Sequence, residues 1–166
     1  MEQNPTEAPM TAWRAFLHAY ATLIPILERE MKEDKSLPLI WYDVLAQLSD
    51  SPQEGRLRMQ DLAGSVLLMS PSGLTRLIER MEKEGLVIRE HCLEDRRGVF
   101  AVITPKGRAT LEQAIPGHVR GIQEHFLRHL NDEEIRGLHV ALAKVLKAER
   151  ATGEEWWRLP SVLSDK

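Results

Sequence analysis

Cysteine is all but missing from this chain: Cys92 stands alone among 166 residues, so no intrachain disulfide can brace the fold. Long apolar runs are missing as well, none approaching the ~20 residues that a membrane span requires. The first nine residues hold Glu2, Glu7 and two prolines rather than the apolar core of a signal peptide, and a cytoplasmic protein with no membrane partner is expected. No repeat or low-complexity linker interrupts the chain, which argues against a tethered array. Catalytic signatures are lacking too. There is no phosphate-binding glycine loop, no serine nucleophile elbow and no Cys and His pair with supporting context, so an enzyme is not expected. What is present, 43% apolar and 28% charged residues, suffices for one domain core and is too short for two ordinary domains.

The richest stretch runs from Arg58 to Arg97 and reads helix, turn, helix, hairpin. Met59 to Val66 makes a two-turn helix with Leu62, Ala63 and Val66 inward, and Ala63 and Gly64 are small enough for a close helix crossing. Residues 67–69 form the tight connection of a helix-turn-helix. Ser70 then suits an N-cap, Pro71 the first helical position and Gly85 the left-handed residue that ends the helix. Leu74, Leu77, Ile78 and Met81 fall on one face for burial, leaving Ser72, Thr75, Arg76, Glu79, Arg80 and Lys83 on the other. Short hydroxyls followed by arginines are what a groove-reading helix needs: Ser and Thr bond phosphate or base edges, and Arg pairs bidentately with guanine or clamps phosphate. Gly73 removes a side chain where the DNA backbone would approach. An ordinary solvated amphipathic face is the plainer alternative.

Two β-branched or apolar runs, 86–92 and 99–103, flank a polar turn at 93–98 and predict a two-stranded wing, while Arg56-Leu57-Arg58 alternates like a short strand. Arg96 and Arg97 sit at the wing tip, suited to a phosphate backbone or a minor groove, and Asp95 suits the task of holding one of those guanidinium groups. The charge map agrees. Residues 56–108 carry ten Lys or Arg against seven Asp or Glu, whereas the rest of the chain carries 12 against 18.

At these residues the chain resembles the MarR (multiple antibiotic resistance regulator) family of transcription factors. The matching residues are Leu62-Ala63, Ser70 to Leu77, Arg80 to Val87, Asp95-Arg96-Arg97 and Ile103-Thr104-Pro105-Lys106-Gly107. The resemblance implies a homodimeric winged helix-turn-helix regulator that needs no cofactor to bind double-stranded DNA and is often controlled by a small phenolic or other aromatic acid.

The flanks fit that architecture. Trp13, Phe16, Leu17, Tyr20, Leu23, Leu27 and Met31 trace one helical stripe, which Pro25 should bend. Residues 39–48 form a second helix presenting Trp41, Val44, Leu45 and Leu48. Thr104 and Pro105 open a long helix that Pro116 should kink, and Asn131 with Glu134 resembles a capping box for a last helix bearing Ile135, Leu138, Leu142, Val145 and Leu146. The expected fold is mainly α with a small β-hairpin: an N-terminal dimerisation helix in 1–36, a winged helix-turn-helix DNA-binding domain in 37–107, and C-terminal dimerisation helices with a tail in 108–166. Pairing two chains through the terminal helices would cover their apolar stripes.

Three further sets of residues invite a sensory role. Trp13, Phe16, His18, Trp41 and Tyr42, with Arg14 for a carboxylate, could line an aromatic-acid pocket between the dimerising and DNA-binding parts; the alternative is that they fill the core. His125 and His129 stand four apart, with His118 two turns earlier, a spacing compatible with a metal on a helix; packing at an interface is the commoner use. Cys92, in the wing strand, reads as a small strand residue. The expected function is sequence-specific DNA-binding transcription regulation by a dimeric repressor on an inverted repeat, released by a small aromatic or phenolic ligand. A metal-responsive regulator of the same fold and a winged-helix protein-interaction module are the alternatives.

Overall fold

Apolar residues recurring every three to four positions make most of this chain helical, and a computed structural model describes residues 7–34, 37–66, 71–91 and 98–149. The first helix, α1 (Glu7–Glu33), runs without a break through Pro25. Its apolar stripe divides in two. Toward the C-terminal end Met31 is buried and Ile24 and Leu27 pack against the core, whereas Met10, Trp13, Phe16, Leu17 and Tyr20 are all exposed.

Helix α2 (Leu39–Ser49) is apolar nearly all round and therefore occupies the centre: Leu39, Tyr42, Val44, Leu45, Ala46 and Leu48 are buried. Pro38, at its N-cap, offers no side-chain acceptor. Glu28 of α1 supplies one instead, its Oε2 accepting from the Leu39 N–H at 2.9 Å, while Lys32 holds Glu28 Oε1 at 2.9 Å.

The wing is a three-stranded antiparallel sheet in the order β1-β3-β2, from β1 (Arg56–Arg58), β2 (Val87–His91) and β3 (Val99–Ile103). The hairpin pairs Val87 with Ile103 and His91 with Val99, in agreement with the sequence pattern. The third strand is the addition: β1 pairs across β3, Arg56 with Val102 and Arg58 with Phe100. Its long-range partner could not be read from three residues.

Between β1 and β2 lie α3 (Met59–Ser65) and α4 (Pro71–Lys83). Leu62 and Val66 are buried as expected, but Gly64 is exposed and an added Cβ there would meet nothing within 4 Å, so the close crossing expected at Gly64 does not occur. On α4 the four apolar positions Leu74, Leu77, Ile78 and Met81 are each at most 2% exposed. The helix ends in a Schellman turn: the Leu86 N–H donates to the Met81 carbonyl (3.0 Å) and the Gly85 N–H to the Glu82 carbonyl (2.9 Å), with Gly85 at φ 71°.

Helix α5 (Pro105–His125) opens on a Thr104 cap whose Oγ1 accepts from the Gly107 N–H, and it continues through Pro116. A short 3-10 turn (Leu127–His129) leads to α6 (Asp132–Glu149). The capping box forms in full: Asn131 Oδ1 accepts from the Glu133 and Glu134 amides at 2.9 and 3.0 Å, and Glu134 Oε2 accepts from the Asn131 N–H at 2.8 Å. No described residue of α6 is buried, and Leu138, Val140 and Val145 are exposed.

Candidate nucleic-acid interface

Helix α4 is held by its buried face and presents the other outward. Thr75, Arg76 and Arg80 are exposed there and Gly73 is half-buried near the start. Ser70, Asp95, Arg96 and Arg97 lie outside the described residues, as do Cys92 and the side chain of Ser72.

Three acidic residues near this face have basic partners other than the candidate DNA-reading arginines. Arg89 of β2 binds Glu82 through Nη2 (2.8 Å) and approaches Glu79 through Nη1 (3.6 Å), while Glu90 lies 4.0 Å from Arg56. Arg76 and Arg80 form no ion pair among the described residues. Among the described residues, that distribution leaves Arg76 and Arg80 available to an anionic partner.

The sheet adds basic groups that composition could not place. The Arg56 guanidinium stacks over the Phe100 ring at 4.2 Å, and that of Arg58 at 5.2 Å. Cross-strand pairing of β1 with β3 creates this contact, and no local spacing signals it.

A chain of hydrogen bonds fastens the end of α4 to the start of α5. Thr104 Oγ1 donates to the Gly85 carbonyl (2.7 Å), the Thr104 N–H to the Leu86 carbonyl (3.0 Å), and Lys106 Nζ to the Glu84 carbonyl (2.6 Å). Gly107 makes this approach possible, since a Cβ there would lie 2.2 Å from the Leu86 carbonyl oxygen. Helix α5 also packs on α1, so the end of α4 is connected through α5 to the N-terminal helix.

These are the features of a winged helix-turn-helix, and the comparisons with known proteins agree. Residues 35–98 match the family model described as MarR family. A transcriptional regulator of the helix-turn-helix type from Bacillus cereus is 30% identical over 121 residues, 73% of this chain and 78% of that protein. AbsC, a MarR family transcriptional regulator from Streptomyces coelicolor, superposes with a TM-score of 0.76 at 36% identity, covering 92% of this chain and 99% of that one. The chain belongs to the MarR family. Sco3205, a MarR family regulator of the same organism solved in complex with DNA, superposes with a TM-score of 0.78 at 29% identity over 94% of this chain and 96% of its own. As a MarR family member the protein is a DNA-binding transcription regulator, not an enzyme. None of its described helices is long and apolar enough to cross a membrane.

The sensory candidates are placed apart from one another. Trp13 and Phe16 stack with centroids 6.0 Å apart on the exposed part of α1, where Arg14 and His18 are also exposed. Trp41 is half-buried, and Tyr42 is in the core with its ring centroid 4.2 Å from that of His118. Two clefts are described: one of ≈ 260 Å³ bordered by Glu30, Asp34, Arg120 and Glu124 among others, and one of ≈ 330 Å³ bordered by His18, Leu23, His125, Phe126, His129 and Leu130 among others. Of the six proposed pocket residues only His18 borders either cleft.

The histidine spacing is also altered by the fold. Helix α5 stops at His125, Phe126 turns away at φ −129° and ψ −65°, and His129 belongs to the 3-10 turn, so His125 and His129 are not one turn apart on a helix. Nε2 of His125 pairs with Glu30 Oε1 at 2.6 Å. His118 packs on Tyr42, and its Nδ1 and the Tyr42 hydroxyl are buried without hydrogen-bond partners among the described residues. Burial pushes the His118 pKa down to about 4; burial first, then the Asp50 and Asp43 carboxylates, pushes Tyr42 up to about 12. Among the described residues no group of three or more His, Cys, Asp or Glu side chains is arranged to hold a metal ion.

Proposed function

We propose that this protein is a homodimeric repressor that reads an inverted-repeat operator through α4 and the wing. The observation that carries the reading is the exposed face bearing Thr75, Arg76 and Arg80, backed by four fully buried apolar residues and free of acidic cover among the described residues. Ser70, Ser72, Gly73, Asp95, Arg96 and Arg97 complete the proposed DNA-binding set. Dimerisation is supported by the terminal helices. Trp13 is 53%, Val140 65% and Val145 57% exposed, an arrangement that a second copy would bury. A twofold dimer places two reading helices about 34 Å apart, hence half-site centres roughly ten base pairs apart.

In this reading residues 1–36 and 108–166 serve dimerisation and 37–107 DNA binding, in a protein of the cytoplasm. A small aromatic acid or phenol acts as effector, with Trp13, Arg14, Phe16, His18, Trp41 and Tyr42 as the residues to probe. It would work by preferring one arrangement of the reading helices over another.

Selection of binding sites from randomised duplex DNA at ~0.15 M salt tests the proposal. Enrichment of an inverted repeat, lost in Arg76→Ala, is the expected outcome. Enrichment of unpaired half-sites alone would overturn the dimeric reading, and no enrichment would overturn DNA recognition without a corepressor.

A further inference from the structure

Arg89 is the best-anchored cation near the α4 face, and the DNA-reading set does not include it. Its backbone N–H donates to Glu82 Oε1 at 3.2 Å, and its Nε and Nη2 reach Glu82 Oε2 at 3.0 and 2.8 Å. Nη1 lies 3.6 Å from Glu79 Oε1, one turn earlier on α4. Both oxygens of one carboxylate on the reading helix are thus engaged by the backbone and side chain of one residue on β2. A guanidinium is planar and its donors are fixed in a fork, so this contact constrains direction as well as distance.

The covalent link between the two elements is short and bends at Gly85, in the left-handed region at φ 71°. The turn brings β2 alongside α4, and the Glu82–Arg89 contact, one turn back along the helix and two residues along the strand, adds a second point of attachment. Two points define an angle where one defines only a pivot. The far side of β2 is tied to β1 by Glu90 and Arg56, 4.0 Å apart, and Arg56 rests on Phe100 of β3.

We propose that Glu82 and Arg89 are positioning residues for DNA binding, which set the angle between α4 and the β2–β3 hairpin so that groove reading and the flanking wing contacts are made on the same duplex. Neither side chain needs to touch DNA, since the Arg89 donors face Glu82 and Glu79. The inference rests on the DNA-reading function proposed above.

The pair is about one-third exposed, 37% for the Arg89 side chain and 33% for Glu82, so it contributes little to global stability. That separates positioning from folding. On a duplex selected by the wild-type protein, Glu82→Gln and Arg89→Ala should each weaken binding about tenfold. In hydroxyl-radical footprints each should lose the protection flanking a half-site and keep the protection at its centre, with melting temperatures near wild type. Wild-type footprints in the single variants would overturn the inference, as would a Glu82→Gln variant that binds as tightly as the wild type or more tightly, the outcome expected if Arg89 itself contacts phosphate. A wild-type protein that protects no selected duplex would overturn the DNA-reading conclusion, and the inference with it.

Discussion

Arg76 and Arg80 owe their availability to their neighbours. Because Glu82 and Glu79 face Arg89, the α4 cations are not neutralised within the described chain. Arg76→Ala and Arg80→Ala should therefore weaken specific binding by about 1–3 kcal/mol each, with a much smaller loss on a scrambled duplex, as read by fluorescence anisotropy. A second residue carries a pH dependence of the fold. Burial lowers the His118 pKa from 6.5 to about 4, so the native protein resists protonation that the unfolded chain accepts. The stability associated with a neutral His118 is fully present above pH 6.5 and is lost as pH falls toward 4. Unfolding free energies from urea titrations should decline over that window by roughly 2–3 kcal/mol more in the wild type than in His118→Phe, which has no proton to take up. Spacing on the chain made His118 only a weak metal candidate, with packing the commoner use; its environment, a tyrosine ring and a desolvated nitrogen, follows from the approach of α5 to α2.

At the scale of elements, the joint between α4 and α5 is the most constrained. Thr104 caps α5 through Gly107 and bonds back to the last turn of α4, and Gly107 leaves room for the Leu86 carbonyl. Gly107→Ala must displace backbone and should cost about 1–3 kcal/mol in denaturant unfolding, while Thr104→Val should cost about 1–2 kcal/mol by leaving the cap and the Gly85 carbonyl without their partner. Thr104, Gly85 and the Asn131 box were legible because caps and turns are decided within three or four residues by backbone groups that need local partners. Gly107 was legible only as part of a motif, since its need for a missing side chain arises from a carbonyl 21 residues earlier in the chain. The same limit hid β1 in the sheet, Arg56 on Phe100, and Arg89 on Glu82.

For the molecule as a whole, the uneven placement of apolar surface is the main physical statement. The core is drawn from α2, α3, α4, the sheet and the inner parts of α1 and α5, while the outer part of α1 and all the described length of α6 contribute no buried residue. If those helices pair two chains, Leu138→Asp with Val145→Asp should yield monomers in sedimentation velocity that retain their helical circular dichroism and bind one half-site far more weakly than the dimer binds an inverted repeat. A dimer that survives the double change would place the interface elsewhere.

The sequence by itself determined the order of the main helices and the hairpin, the turn that ends α4, the caps that open α5 and α6, the buried face of α4, and the family, because those depend on periodicity, caps and a specific order of residues. It also pointed to Thr75, Arg76 and Arg80 as an outward face. Only the tertiary structure decided that the apolar stripe of α1 is half core and half surface, that Trp13 and Tyr42 stand in different environments, and that a helix break parts His125 from His129. It alone showed which acids Arg89 engages. Each of those outcomes depends on which elements meet, and contacts between residues far apart in the chain are set by packing the whole core at once rather than by any local run of residues.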